Sequence, residues 1–424
     1  MLVDGVPRES IREIDANEIA NVTVLKDASA TAVFGVRGAN GVILITTRRG
    51  EKGKLTVHPS VQYSMQTFAR KRQRVDSWDY ARLLNESRAN AGIDPTFSEE
   101  EIAKFDTWRD GTGPSDPNDR YWYPNTNWED ILFKDYASMV RANVDVSGGS
   151  EKLQFFVNAG YLYQGGMYNT ESKKQLGYSP QSTLNRYNFR SNIDYKFSKY
   201  VKASVNLASS IEKVNGTNGS REIIYADGLT ASPASPGPTT SGDYYVQVGS
   251  EFRKARPGMV VKDPTEPTQS AYGNLNRKGY TLQTNTGINL DANLNVDLSF
   301  ITPGLSAKGL VAFQSRSNTS MSGNRSFVSY GYSRIPIDEM PEPYYTFDGD
   351  DDEDSPLSMS RGFNNGWFVN VQAQVNYART FNKKHYVTGM ALAQRDVQDR
   401  QTGGSEPYPG LKHNMIGFSG RATY

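Results

Sequence analysis

Few residues in this chain are spaced for chemistry, and the spacings that exist point away from catalysis. Gly35, Gly38 and Gly41 recur at every third position, which approaches the glycine loops that cradle phosphates. The G-x-G-x-x-G spacing is absent and no Gly-Lys-Ser/Thr follows, so these glycines read as turns. The acidic run 348–354 offers Asp348, Asp350 and Asp352 as calcium ligands. It lacks the glycine and the final glutamate that an EF-hand loop places at fixed positions, and a solvated loop tip is the simpler reading. His58, His385 and His413 are the three histidines, and none forms a ligand-spaced pair. Absence of cysteine removes thiol nucleophiles, thiolate metal sites and disulfides, and no G-x-S-x-G elbow is present. No nucleophile is matched with a base, so we expect no enzyme and no cofactor. A third chemistry is stacking. The stretch 69–138 carries Trp78, Tyr80, Trp108, Tyr121, Trp122, Tyr123 and Trp128. Tyr121, Trp122 and Tyr123 are candidates to stack on a sugar or peptide substrate; equally, they can pack short helices onto a rim. Trp78 and Trp128 read as packing residues.

The elements that would hold such residues are mostly strands. Residues 140–147 place Val140, Ala142, Val144 and Val146 against Arg141, Asn143, Asp145 and Ser147. In 186–197, Tyr187, Phe189, Ile193, Tyr195 and Phe197 oppose Arg186, Asn188, Arg190, Asn192, Asp194 and Lys196. In 284–300, Ile288, Leu290, Ala292, Leu294, Val296, Leu298 and Phe300 oppose Asn285, Asn289, Asp291, Asn293, Asn295, Asp297 and Ser299. In 369–381, Val369, Val371, Ala373, Val375, Tyr377 and Phe381 oppose Asn370, Gln372, Gln374 and Asn376. Period-two patterning of this kind is a sheet with one apolar and one strongly polar face. The run 284–300 would extend over roughly 50 Å at about 3.3 Å per residue, whereas a membrane needs only about 9–11 residues per strand.

Short turns at 148–152, 198–200, 302–304 and 382–384 alternate with long connections at 69–138, 165–183, 213–280, 317–363 and 399–414. Outer-membrane barrels alternate short turns and long loops in this way. The strands predicted are 55–68, 139–147, 153–164, 184–197, 201–212, 281–300, 305–316, 364–381, 385–398 and 415–424. Two helices are expected inside 69–138: Trp78–Asn90, and one capped by Ser98 with Glu101 closing a capping box.

Ahead of the strands, 22–47 reads as strand, short helix, glycine turn and strand. Val22, Val24 and Leu25 end at Lys26-Asp27, Asp27 caps the small-residue stretch Ala28–Ala32, and Val42–Ile45 is a β-branched return. Together with Val3-Asp4-Gly5-Val6-Pro7 and Arg48-Arg49-Gly50, this segment resembles the plug domain of TonB-dependent outer-membrane transporters, and in particular the SusC/RagA subgroup. The resemblance is specific over residues 2–54. It rests on Asp4, Gly5, Leu25, Lys26, Asp27, Ala28, Gly35, Arg37, Gly38, Asn40 and Gly41. Beyond residue 54 it rests on pattern. It implies a mainly β chain: the C-terminal part of a small α+β plug at 1–54, then the N-terminal half of a transmembrane antiparallel β-barrel at 55–424. About ten strands are present of the about 22 that a plugged transporter has. Half a barrel would carry two unpaired edges, and we expect it not to insert alone.

The resemblance further implies import of a large nutrient, an oligosaccharide or peptide, across the outer membrane. The implied partners are a SusD-like surface lipoprotein, outer-membrane lipid and the TonB complex, whose coupling segment is absent from this chain. No signal peptide opens the sequence, which reads as an internal piece of a longer protein. Composition agrees with this class. The 47 basic and 46 acidic residues leave a net charge of +1, which gives no reason to invoke nucleic acid. Mean hydropathy is −0.62 and no stretch approaches the roughly 20 apolar residues of a membrane helix, which excludes helical spans but not a barrel, whose strands keep every second residue polar. Two other classes fit the alternation: a surface glycan-binding or adhesive β-protein, and an inactive remnant of a transporter.

Overall fold

The computed structural model describes residues 1–8, 14–26, 41–70, 74–116, 119–219, 221–239, 245–248, 251–261, 270–333, 344–347, 353–401 and 412–424. It begins with a four-stranded sheet. β1 (Leu2–Val3) and β2 (Val6–Pro7) form a hairpin; β3 (Ile19–Leu25) and β4 (Val42–Thr47) complete the order β2-β1-β4-β3, with β1 parallel to β4. Asp4 and Gly5 both take positive φ, 49° and 89°. That conformation is what a two-residue hairpin demands, and Asp-Gly supplies it at least cost. Asp27, Ala28, Gly35, Arg37, Gly38 and Asn40, and the short helix expected over 28–32, lie outside the described residues.

The next elements in chain order are β5 (Gly53–Gln66), β6 (Ala137–Gly149), β7 (Leu153–Gly165), β8 (Thr183–Lys196) and β9 (Val201–Thr217). Three short strands follow: β10 (Tyr245–Val248), β11 (Glu251–Lys254) and β12 (Val260–Val261). Then come the long β13 (Gly279–Asp297) and β14 (Leu305–Asn324), the short β15 (Ser329–Ser333) and β16 (Tyr344–Phe347), and β17 (Ser358–Phe381), β18 (His385–Gln401) and β19 (His413–Thr423). The ten long strands pair in chain order into one antiparallel meander, β5-β6-β7-β8-β9-β13-β14-β17-β18-β19. It does not close: β5 and β19 are its two edges. No described helix is long and apolar enough to cross a membrane, which says nothing about strands.

Tight turns join the strands at the end where the small sheet sits. Ser150 Oγ accepts from the backbone N–H of Lys152 and Leu153, and Ser198 Oγ does the same for Tyr200 and Val201. At Gly304 φ is +88° and a Cβ would overlap the Ala378 carbonyl, so only glycine fits.

Several strands outrun their sequence signal. β14 continues to Asn324 and β17 begins at Ser358, where polar loop had been expected from 317 to 363. The segment 317–324 is Ser, Asn, Thr, Met and Gly in composition and has lost its apolar face. Pairing with β13 and β17 still satisfies its backbone, and beyond the bilayer nothing requires an apolar side.

The long connections are not bare loops. β11-β10-β16-β15-β12 form a second small sheet, and helices Arg221–Thr230 and Ala271–Asn276 pack beside it. One apolar cluster gathers Trp128, Leu132, Ile224, Val260, Tyr272 and Leu275, and another gathers Val246, Met259, Val261 and Tyr330. In the first long connection, helix Ser77–Asn90 and helix Glu99–Asp106 form as expected. Ser98 and Glu101 close the capping box on the second. Arg82 and Arg109 grip Asp106 across this pair.

That grip holds the Asp106 carboxyl down to about 2, mainly through its bond from Arg82. A carboxyl held below its ordinary value stabilises the fold above that ordinary value and loses the contribution as pH falls through the depressed one. We therefore expect protease resistance of the segment 77–110 to be flat from neutral pH to about 4 and to fall towards 2. The pair is partly exposed, so the change is small, and Asp106→Asn should flatten it.

Candidate functional site

The large sheet is inside-out relative to a water-soluble one. On β8, Asn188, Arg190, Asn192 and Asp194 are buried, while Tyr187, Phe189, Ile193 and Tyr195 are exposed. On β13, Asp291 and Asn293 are buried at 5% and 8% exposure, while Ile288, Leu290 and Leu294 are more than 40% exposed. Asn143, Asp145, Asn158, Asn206, Asn370 and Asp396 continue the buried polar face across the neighbouring strands. Burying amides and carboxylates while exposing Leu and Ile makes sense only if the outer surroundings are apolar. Asp297 keeps the phase of Asp291 and Asn293 but lies exposed at the end of β13, where its carboxylate accepts from the Ser299 N–H at 2.8 Å.

The small N-terminal sheet sits on that polar face, and charge holds it there. Arg8 donates to both oxygens of Asp291, at 2.7 and 2.9 Å, with each side chain under 10% exposed. Arg190 donates to Glu18 at 2.7 Å, again fully buried. Burial pushes the Glu18 carboxyl up, and Arg190 opposes the shift. Arg48 reaches Asp145 at 3.0 Å and lies 5.3 Å above the Phe156 ring. Arg49 reaches Asp194 at 3.2 Å, and Ser204 also donates to Asp194. Asn192 Nδ2 donates to Thr47 Oγ1 at 2.9 Å and to the Arg48 carbonyl at 2.7 Å.

Among the described residues, Val6 packs against Leu310 and Ala312 in an apolar patch of this interface. Beside the two buried pairs lies a space of about 20 Å³, bounded by Arg8, Arg190, Asn206 and Asp291. That is about the size of one water. The described part of the interface is held mainly by charged and polar groups.

Among the plug-signature residues, Asp4 accepts from Thr47 N at 3.0 Å and Thr47 Oγ1 at 2.6 Å, tying the hairpin to β4. Gly5 supplies the turn. Leu25 and Lys26 end β3, and Gly41 takes φ +86° against the Leu25 carbonyl. The path from this sheet into β5 passes Gly50, where a Cβ would overlap the Phe155 backbone. Backbone cannot yield as a side-chain tip can, so Gly50→Ala should loosen the seat by about 1–3 kcal/mol. Faster proteolysis within 41–50 in the folded, full-length protein would show it; an unchanged rate would count against this close approach.

The structure separates the aromatic candidates. Tyr123 is buried with Ala81, Ile102 and Phe105, so its ring packs helices. Tyr121 and Trp122 are half-buried against neighbouring clusters. Trp128 is buried and donates from Nε1 to the Ser232 carbonyl at 3.0 Å, a packing role as expected; Trp78 packs partly against the Tyr123 cluster. Asp348, Asp350 and Asp352 lie outside the described residues. His58, His385 and His413 sit apart on β5, β18 and β19.

Sequence reasoning had put Asp145, Arg190, Asp194 and Asp291 on the polar face. It missed their partners Arg8, Glu18, Arg48 and Arg49. The available signal was charge of both signs at inward positions of otherwise Asn-rich strands.

A meander with an apolar exterior, a polar interior and a small sheet ion-paired to that interior defines a plugged membrane-barrel architecture. No family model matches the sequence. Among curated proteins, a TonB-dependent receptor of Formosa agariphila is 28% identical over 250 residues, covering 57% of this chain and 22% of that protein. SusC of Bacteroides thetaiotaomicron, also a TonB-dependent receptor, is 30% identical over 164 residues, covering 38% of this chain and 14% of that protein. In the solved RagAB peptide importer, a chain matches 99% of this one at TM-score 0.62 and 17% identity, with 45% of that chain covered. Over the stretches matched, the chain is similar to TonB-dependent receptors, SusC among them, and it shares the fold of the RagAB importer chain. It spans less than a third of the curated relatives it matches here and under half of the solved neighbour.

Proposed function

We propose that this chain supplies the plug's C-terminal part and the first half of the barrel in an outer-membrane importer. The plug sheet blocks the polar lumen, and TonB-driven traction on a segment N-terminal to it breaks the seat and opens the path. The cargo is a large nutrient, an oligosaccharide or peptide, delivered beneath a SusD-like lipoprotein at the end where the long connections gather. The RagAB neighbour is named a peptide importer, which supports the class of cargo without choosing within it. The residues 1–54 act as plug and 55–424 as barrel. Tyr121 and Trp122 remain the substrate-contact proposal from the aromatic run.

One observation carries this reading: a sheet that buries its Asn, Asp and Arg face meets a second sheet there through four charge pairs. An adhesive β-protein has no need of a polar sheet face covered by its own N-terminal sheet.

The chain has no cysteine, so a lock can be engineered once any cysteine elsewhere in the full-length protein is replaced. Thr47 and Asn192 touch across the seat, so Thr47→Cys with Asn192→Cys in the full-length protein should form a disulfide under oxidation. Uptake of peptide and oligosaccharide mixtures should then fall to background and return on reduction. Uptake that persists through a verified disulfide would show that the plug need not leave this seat.

A further inference from the structure

The outward face of the barrel carries a polar cleft that the transport reading does not use. It has a volume of about 580 Å³, within the usual range of small-molecule sites. Its lower wall is the rim of β6–β8. Register fixes which side this is: Tyr163 pairs with Val140, and Tyr161 with Ala142 and Tyr187. Those positions share the face of the exposed Val144 and Phe189, opposite Asp145 and Arg190, which meet the plug.

Tyr136 and Tyr163 line the cleft; at nearby outward positions of the strands Tyr63 and Tyr187 are exposed, and Tyr161 stacks obliquely on Tyr187 at 5.2 Å. Tyrosines at this level form the aromatic girdle that marks the membrane–water boundary. The cleft opens directly above it. Its upper wall comes from the connections: Asp130, Lys134, Asn169 and Gln181. Lys134 Nζ donates to Gln181 Oε1 at 2.8 Å, which fixes a cation and an amide side by side. Asp130 and Asn169 are exposed into the same region.

We infer that this cleft binds the saccharide headgroup of an outer-leaflet glycolipid. The assignment of the outer leaflet rests on the proposed orientation, with long connections outside the cell. Carboxylate, amide and ammonium groups set among tyrosine rings suit vicinal hydroxyls and ring faces. A lipid reaches an outward cleft at the girdle by lateral diffusion, whereas cargo passes through the lumen on the other side of the wall. The apolar strands below provide a surface for acyl chains.

The test is native mass spectrometry of the full-length protein released from outer-membrane-derived nanodiscs. It is compared with Asp130→Ala/Lys134→Ala/Asn169→Ala, changes confined to the connections. The wild type should retain a glycolipid adduct, and the variant should lose at least about tenfold of it; a soluble hexasaccharide should not compete. Equal retention by wild type and variant, equal retention of phospholipid from phospholipid-only nanodiscs, or displacement by the soluble sugar would each overturn the assignment. The disulfide-lock uptake assay is run in parallel. Normal, reduction-dependent uptake with no glycolipid adduct rejects this site alone, while failure of the lock rejects the transport reading.

Discussion

Replacing Arg8 with alanine should unseat the plug. Asp291 would keep its charge in a site where its side chain is 7% exposed, having lost the guanidinium that bonds both of its oxygens. Removing one partner of a buried pair costs about 3–5 kcal/mol, because the survivor is left desolvated. The same reasoning predicts the compensations. Arg8→Met with Asp291→Leu should regain most of the loss, since the desolvation cost disappears with both charges. Arg8→Asp with Asp291→Arg should regain part, limited by side-chain length. Leak conductance of the full-length protein in planar bilayers reads the effect: high for the single variant, lower for both doubles. A single variant as tight as the wild type would mean that the pair does not hold the plug. Glu18 and Arg190 form a second buried pair in the same patch, so the two singles should not add independently.

Placing an arginine at Leu290 should impair membrane folding, whereas leucine at Asn293 should not do so by lipid mismatch. Leu290 projects outward on β13, one position before Asp291. A cation on the lipid face near the midplane costs about 2–4 kcal/mol. At Asn293, buried on the inner face, leucine alters the interior surface beneath the plug and leaves the lipid surface untouched. The prediction is a marked loss of heat-resistant folded barrel for Leu290→Arg, with near-normal folding but a leakier plug for Asn293→Leu. The reverse order would mean that the faces have been exchanged.

Much of the scaffold was legible because membrane strands advertise their faces. From Ile288 to Val296 on β13 every second residue is apolar, β8 repeats the pattern at Tyr187, Phe189, Ile193 and Tyr195, and the phase of that alternation separates lipid from lumen. Strand ends were less legible. The tips of β14 and β17 pass beyond the apolar layer, where pairing persists but the alternation has no reason to. The small sheet of β10, β11, β12, β15 and β16 left almost no trace, since strands of two to five residues join segments far apart in sequence. The seat was legible on one side only. Its charge pairs link residues separated by 97 to 283 positions, and nothing local to Arg8 or Glu18 indicates what they face. Tyr123 shows the same limit: its neighbours Ala81 and Phe105 decide that it is buried, and the aromatic run around it does not.

The most direct test of the account is a single-cysteine scan of residues 288–294 in the full-length protein, with any cysteine outside these 424 residues replaced, since the chain itself has none. Each cysteine carries an environment-sensitive fluorophore, and a quencher confined to lipid is added. The account predicts strong quenching at 288, 290 and 294 and weak quenching at 289, 291 and 293. Quenching without a two-residue period, or with its maxima at 289, 291 and 293, would contradict a barrel whose polar face receives the plug.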